Sequence, residues 1–343
     1  MNTIKPLGKM LHMVLLSQPL HGIKIAIKKR GSTLEGRIWE RTPRRTLAPR
    51  HIASDNSDPS RAIRQQRLGN GSALSTIRWG QNAGMRQFER YIGIDYSGAA
   101  TPSSSLPGLR IYAAGGSGVP EEIGPPPSPR KYWTRRGIAE WLVAEIRSGP
   151  PTLVGIDHAF SFPLRYFEVH RLAPDWPSFL DDFHRHWPTD EANTYVDFVR
   201  DGVCGDGAAR QGNSRWRRLA EERCRAKSVF HFDAQGCVGK STHAGLPWLL
   251  HIRRQLGDCV HFWPFDGWTP PTGKSVIAEI YPALWNRAAP TEGRNSHQQD
   301  AYSAALWMQQ GDSAGTLPAY MDPSLPPAQK TVAGIEGWIL GLA

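Results

Sequence analysis

Residues 91–98 read YIGIDYSG, and the reading of that stretch decides the fold. Tyr91, Ile92 and Ile94 suit a buried strand, and Gly98 and Ala99 leave room for a turn beside it. Aspartate is depleted in strands and costly to bury without a partner. Asp95 is therefore expected at the open end of a central strand, facing a cleft. The phrase returns at residues 152–163, TLVGIDHAFSFP, where a second apolar run ends in Gly-Ile-Asp and a turn. A third run, SVIAEIYP at 275–282, carries one acid, Glu279. A fourth acid, Asp300, opens a helix-like segment, HQQDAYSAALWMQQ at 297–310.

Working outward, residues 109–114 (LRIYAA) read as a hairpin partner of the first strand. Thr134 is placed to cap a helix through Ile138, Trp141 and Leu142, which Ser148-Gly149-Pro150 ends. A strand–helix–strand order of this kind predicts parallel pairing of the two Gly-Ile-Asp strands. Residues 164–250 read as a mostly helical insertion, rich in aromatic and basic residues. Val260–Pro264 reads as a strand, 311–330 as Pro-rich and irregular, and Ile335–Leu342 as a short apolar segment docked on the domain.

Composition places the chain among globular proteins: of 343 residues, 40% are apolar and 21% charged. The net charge of +10 is unevenly held. Residues 1–84 carry 15 Lys/Arg against 4 Asp/Glu, and the remainder carries 26 against 27. The basic character belongs to the leader, so it argues little for nucleic-acid binding by the rest. That leader has few periodic apolar segments and is expected to be disordered. It reads either as a basic arm or as an overextended gene start ahead of Met85, and the second reading is preferred. The four cysteines, Cys204, Cys224, Cys237 and Cys259, form no CxxC pair and no zinc-finger pattern. No disulfide framework is implied, which fits a reducing, cytoplasmic setting. No run reaches the roughly 18–20 apolar residues that a membrane helix needs.

Four carboxylates at the ends of separate elements are a ligand set for hard divalent ions. Two such ions supply what phosphodiester hydrolysis needs, an activated water and a stabilised leaving oxygen. Asp95, Asp157, Glu279 and Asp300 are the candidate metal ligands, for Mg²⁺ or Mn²⁺. On the last helix, His297, Asp300, Ala301, Ala304, Ala305 and Met308 share a face by three-four spacing. The alanines allow that helix to lie close to the sheet, bringing Asp300 to the strand ends. His297 then stands one turn earlier, placed to hold a water, a phosphate or a leaving group.

Two further features bear on substrate. Seven basic residues lie between Arg210 and Lys227, among them Arg217 and Arg218. They read either as a solvated face or as a phosphate-contacting patch beside the cleft. Residues 234–241, AQGCVGKS, fit a permissive P-loop pattern with Ala in place of the first Gly. Val229–Phe232 would be the strand before it, and Pro247 would limit the helix after it. Its place in mid-chain and the lack of a convincing acidic partner strand argue against a P-loop. Lys240, Ser241 and Ser97 remain candidates to grip a substrate phosphate.

Taken together, GIDYSG, GIDHAFSFP, KSVFHFDAQGCVGKSTHAG, AEIYPALW and HQQDAYSAA resemble the predicted RNase H-like nucleases of the domain-of-unknown-function type. The resemblance spans residues 88–343 and leaves out the leader. It implies an α/β fold: an RNase H-like mixed sheet flanked by helices, with a helical insertion between the second acidic strand and the C-terminal strands. It also implies a metal-dependent nuclease acting on nucleic acid through Asp95, Asp157, Glu279 and Asp300. Rival readings are an actin-like or P-loop-like ATP-dependent phosphotransferase and a non-catalytic nucleic-acid binder of the same fold.

Overall fold

The computed structural model of the protein describes residues 86–343, Gln235 excepted. The expectations for residues 1–84, and the start at Met85, lie outside the described residues. The strands are β1 (Arg90–Asp95), β2 (Arg110–Gly115), β3 (Glu121–Glu122), β4 (Thr152–Ile156), β5 (Val260–Trp263) and β6 (Ser275–Glu279). The helices are α1 (Arg135–Ser148), α2 (Leu164–His170), α3 (Trp176–His186), α4 (Val196–Arg200), α5 (Leu219–Cys224), α6 (Gly239–Leu256), α7 (Ser296–Ser313), α8 (Leu317–Met321) and α9 (Pro327–Glu336).

The six strands form one mixed sheet in the order β3-β2-β1-β4-β6-β5. β2 runs antiparallel to β1 and β3, whereas β1, β4, β6 and β5 run parallel. Apart from Arg90 at the start of β1, the parallel strands are buried throughout, so each reads as a largely apolar run rather than an alternating one. Helix α1 starts where the sequence predicts, with the Thr134 side chain accepting from Gly137 N.

Strand alternation sorts the side chains onto two faces. Ile92, Ile94, Val154, Ile156 and Ile277 join the core under α1, α3 and α6. Tyr91, Leu153, Val276 and Ala278 face the other core, which holds Ala304 and Met308 of α7. Gly93 is where α7 touches the sheet. A Cβ there would lie 2.2 Å from Ala301 O and 2.8 Å from Ala305 N. The small residues predicted on that helix face therefore bring its backbone directly onto β1.

Three local expectations are corrected. Val229–Phe232 is not a strand, so nothing of that kind precedes the Gly-rich loop. Helix α6 runs through Pro247 for 18 residues instead of stopping. Proline cannot bond the carbonyl four residues back, and that group, His243 O, accepts the Thr189 hydroxyl at 2.7 Å. Residues 311–330 also hold more structure than their prolines suggest: the end of α7, all of α8 and the start of α9.

The contact at Gly93 yields a measurable outcome. Gly93→Ala should destabilise the protein by about 1–3 kcal/mol or more, because both neighbours are backbone atoms and cannot rotate aside. Chemical denaturation measures this. An unchanged midpoint would mean that α7 does not rest on β1.

Candidate metal centre

Strand register decides which acids meet. Gly93 pairs with Gly155 and Ile94 with Ile156, so the two Gly-Ile-Asp phrases lie side by side in register. Asp95 ends β1, and Asp157 N donates to Ile94 O at 2.9 Å, continuing the ladder. Both acids fall on the alternation that carries Leu153 and Gly155, the face covered by α7. Asp300 lies in the first two turns of that helix. Carboxylate oxygens of Asp95, Asp157 and Asp300 all lie within 4.8 Å of one another.

Glu279, expected as a fourth ligand, does not join them. Its Cα pairs with that of Ile156, one residue short of Asp157, and alternation puts it on the face of Ile277. There the buried guanidinium of Arg218 grips it through Nη2–Oε1 at 2.6 Å and Nη1–Oε2 at 2.7 Å. Phe160 N adds a bond to Glu279 at 3.2 Å. Arg218 also donates from Nε to Glu221 at 3.0 Å. It is therefore saturated by protein carboxylates and is not offered to a substrate, contrary to the sequence expectation. Burial alone would lower the guanidinium's proton affinity, but the two glutamates outweigh it and hold the group charged.

The three clustered carboxylates differ in their partners. Asp95 is buried and meets His297, with Nδ1 to Oδ2 at 2.6 Å. Burial raises the Asp95 carboxyl above its ordinary range, with His297 opposing the shift. The imidazole is in turn held protonated above its usual range, chiefly by its bond to Asp95. Asp300 accepts from the Asn286 side chain, and its carboxyl too is raised by burial. Asp157 accepts no hydrogen bond and forms no ion pair among the described residues. Its carboxyl is pushed well above its usual range, first by burial and then by the charges of Asp95, Asp300 and Glu279. An arrangement of hard oxygen donors with surplus negative charge fits a divalent cation. Asn286 gave no sequence signal, since a lone Asn after a Pro-rich turn reads as an ordinary loop residue.

The remaining candidates surround the cluster unevenly. Ser97 lies near His297: a Cβ at Gly108 would come within 3.3 Å of Ser97 and 3.4 Å of His297. Arg217 is exposed just ahead of α5. Lys240 is engaged by Asp197 at 2.9 Å and Asp233 at 3.4 Å, so the cation of the Gly-rich loop is tied down. Ser241 is buried and donates to Val238 O at 3.0 Å. Asp157 opens onto a shallow cleft shared with Lys227, Tyr281 and Ile339.

Two substitutions separate the acids by their physics. A carboxyl with a raised folded-state value binds its proton more tightly folded than unfolded. Stability is then lost as pH climbs from about 3.8, the ordinary aspartate value, through the raised one. Asp157→Asn should thus raise the metal-free melting temperature at neutral pH, by about 2–4 °C per kcal/mol of repulsion removed. The gain should vanish at pH 3, where the wild-type carboxyl is protonated in both states. Glu279→Gln should do the opposite and cost about 3–5 kcal/mol, because it strips charge from the buried Arg218. Thermal scans in EDTA check both signs. Compared with known proteins, the chain matches no family model, no curated protein and no solved structure, so the role of the three carboxylates rests on their own chemistry.

Proposed function

We propose that the chain is a metal-dependent nuclease of RNase H-like fold, hydrolysing phosphodiester bonds with Mg²⁺ or Mn²⁺ held by Asp95, Asp157 and Asp300. The observation that carries this reading is Asp157, a carboxylate amid like charges with no donor or cation among the described residues. Carboxylate oxygens without nitrogen or sulfur ligands favour Mg²⁺ or Mn²⁺ over softer ions. Bound there, the metal supplies water activation and charge neutralisation at the leaving oxygen. The mixed sheet, with acids at the ends of two adjacent parallel strands and a third acid on the covering helix, supports the fold assignment.

The protein's own groups have separable tasks. Asp95 fixes the His297 ring through Nδ1, and Nε2 has no partner among the described residues. The proton that Asp95 helps His297 retain is then available at Nε2 for a leaving oxygen. Asn286 orients Asp300, and Asp95 orients His297, on α7. The cleft beside Asp157 is also lined by Lys227 and Tyr281. Exposed Arg217, Arg223 and Arg225 flank its Arg218–Lys227 wall and suit a polyanionic nucleic acid. The engaged state of Lys240 weighs against a P-loop phosphotransferase.

The test is a cleavage panel of single- and double-stranded RNA, DNA and hybrid with Mg²⁺, Mn²⁺ or EDTA, run beside an ATPase assay. Asp95→Asn, Asp157→Asn and Asp300→Asn should each lower turnover by more than the roughly 10–100-fold seen on losing an outer-shell partner. Lys240→Ala should keep most of it. Metal-independent cleavage, or ATP turnover abolished by Lys240→Ala, would overturn the reading.

A further inference from the structure

Arg135, the first residue of α1, is fully buried and faces no carboxylate among the described residues. Its guanidinium instead donates to three backbone carbonyls of the loop that follows Asp95. The distances are 3.1 Å to Ser97 O, 2.7 Å to Ala99 O and 2.7 Å to Ala100 O. Its Nε, also buried, has no hydrogen-bond partner. Burying a full charge without a counter-ion is costly, and three carbonyl dipoles offset only part of that cost.

The consequence lies on the other side of each peptide. In a trans peptide the C=O and the next N–H point in opposite directions. Drawing the carbonyls of Ser97, Ala99 and Ala100 toward Arg135 turns the amides of Gly98, Ala100 and Thr101 away from it. None of these amides donates a hydrogen bond among the described residues. Ala100 sits at φ +51°, a left-handed conformation costly for a residue with a Cβ. Arg135 takes the carbonyl oxygens on both sides of that conformation, Ala99 and Ala100. Gly98 packs on the start of α6, where a Cβ would meet Lys240 O at 2.0 Å, so the loop has little freedom to relax.

We propose that the loop 97–101 is an anion subsite, with its free amides aimed at a phosphate oxygen of the substrate, and that Arg135 is the positioning residue that holds it in that shape. Adjacent amides such as those of Ala100 and Thr101, displayed by a loop with a left-handed residue, form a concave cradle for phosphate. The buried positive charge behind the loop adds to the field without touching the ligand. The loop begins two residues after Asp95, so a phosphate seated on it lies next to the carboxylate cluster. The proposal rests on the reading of that cluster as a site for phosphate chemistry, and it names the group that binds the non-bridging oxygens.

The probe is inorganic phosphate, titrated into the full chain in EDTA and followed by amide nitrogen–proton NMR. The amides of Gly98, Ala100 and Thr101 should shift together on one binding curve. Arg135→Met keeps bulk but removes the fork and the charge, and should weaken phosphate by about tenfold or more. Arg135→Lys keeps the charge without the three-carbonyl grip, and should weaken it nearly as much. Mg²⁺ affinity, measured by calorimetry without phosphate, should stay within about threefold in both, since Arg135 acts on the loop and not on the carboxylates. If Arg135→Met does not fold, the lysine variant and the wild-type amide shifts decide the matter. Silent loop amides would overturn the proposal, as would unchanged phosphate affinity in the variants. A parallel fall of phosphate affinity, Mg²⁺ affinity and melting temperature would reduce Arg135 to a structural residue and also overturn it. Phosphate binding at this loop without cleavage of any nucleic acid would leave the subsite standing and remove the nuclease reading. Cleavage with silent amides would do the reverse.

Discussion

Everything at the strand ends depends on the contact between Gly93 and the backbone of α7. A helix normally stands well off a sheet because side chains fill the space between them. Here glycine on the strand and alanines on the helix remove that spacer, and Ala301 O lies where a Cβ of residue 93 would stand. The helix is drawn in at its N-terminal end, which carries His297 and Asp300. Asp95 is two residues beyond Gly93 on the same face, so the close approach that packs the core also sets Asp300 and His297 against Asp95.

The same geometry charges a cost in stability that the protein does not relieve elsewhere. Carboxylates confined within 4.8 Å of one another repel, and their partial burial weakens the screening by water. The cationic groups acting on the cluster among the described residues are His297 and Arg110, and Asp157 feels neither directly. Compare Glu279, one register step away, where a full guanidinium and a backbone amide satisfy the carboxylate. Two acids at neighbouring strand ends thus receive opposite treatment. The neutralised one is part of the fold, and the other has no partner among the described residues and holds its proton more tightly than a free aspartate.

Much of this was legible in the sequence, and the part that was not has a definite cause. The two Gly-Ile-Asp phrases announced the central parallel pair, Thr134 announced α1, and the small residues after Asp300 announced the closeness of α7. Glu279 misleads because a strand-end acid belongs to a shared site only when its register also matches. Set beside VGID, the third strand reads IAEI, so its acid stands level with Ile156 and points to the opposite face. That offset is present in the letters alone once the strands are set in phase. The partner of Glu279 is not, because Arg218 lies 61 residues away on a helical excursion whose path no local pattern fixes. The Gly-rich loop failed for a similar reason: Asp197, 43 residues back in the chain, joins the nearby Asp233 in holding Lys240.

The two buried arginines complete the electrostatic argument. Arg218 and Arg135 each place a positive charge near the strand ends, and neither is bonded to the cluster of three. Arg218 is closed off by Glu279 and Glu221, so its field largely cancels within the protein. Arg135 is balanced only by carbonyl dipoles, so its charge remains available to the loop it holds. One side of the strand ends therefore keeps Asp157, a carboxyl without a partner among the described residues, and the loop after β1 keeps the charge of Arg135 behind it. A protein selected for stability alone would have moved these charges together, since pairing them would remove both penalties. Keeping them apart produces adjacent attractions of opposite sign. That is the field that the proposed cation and phosphate would require.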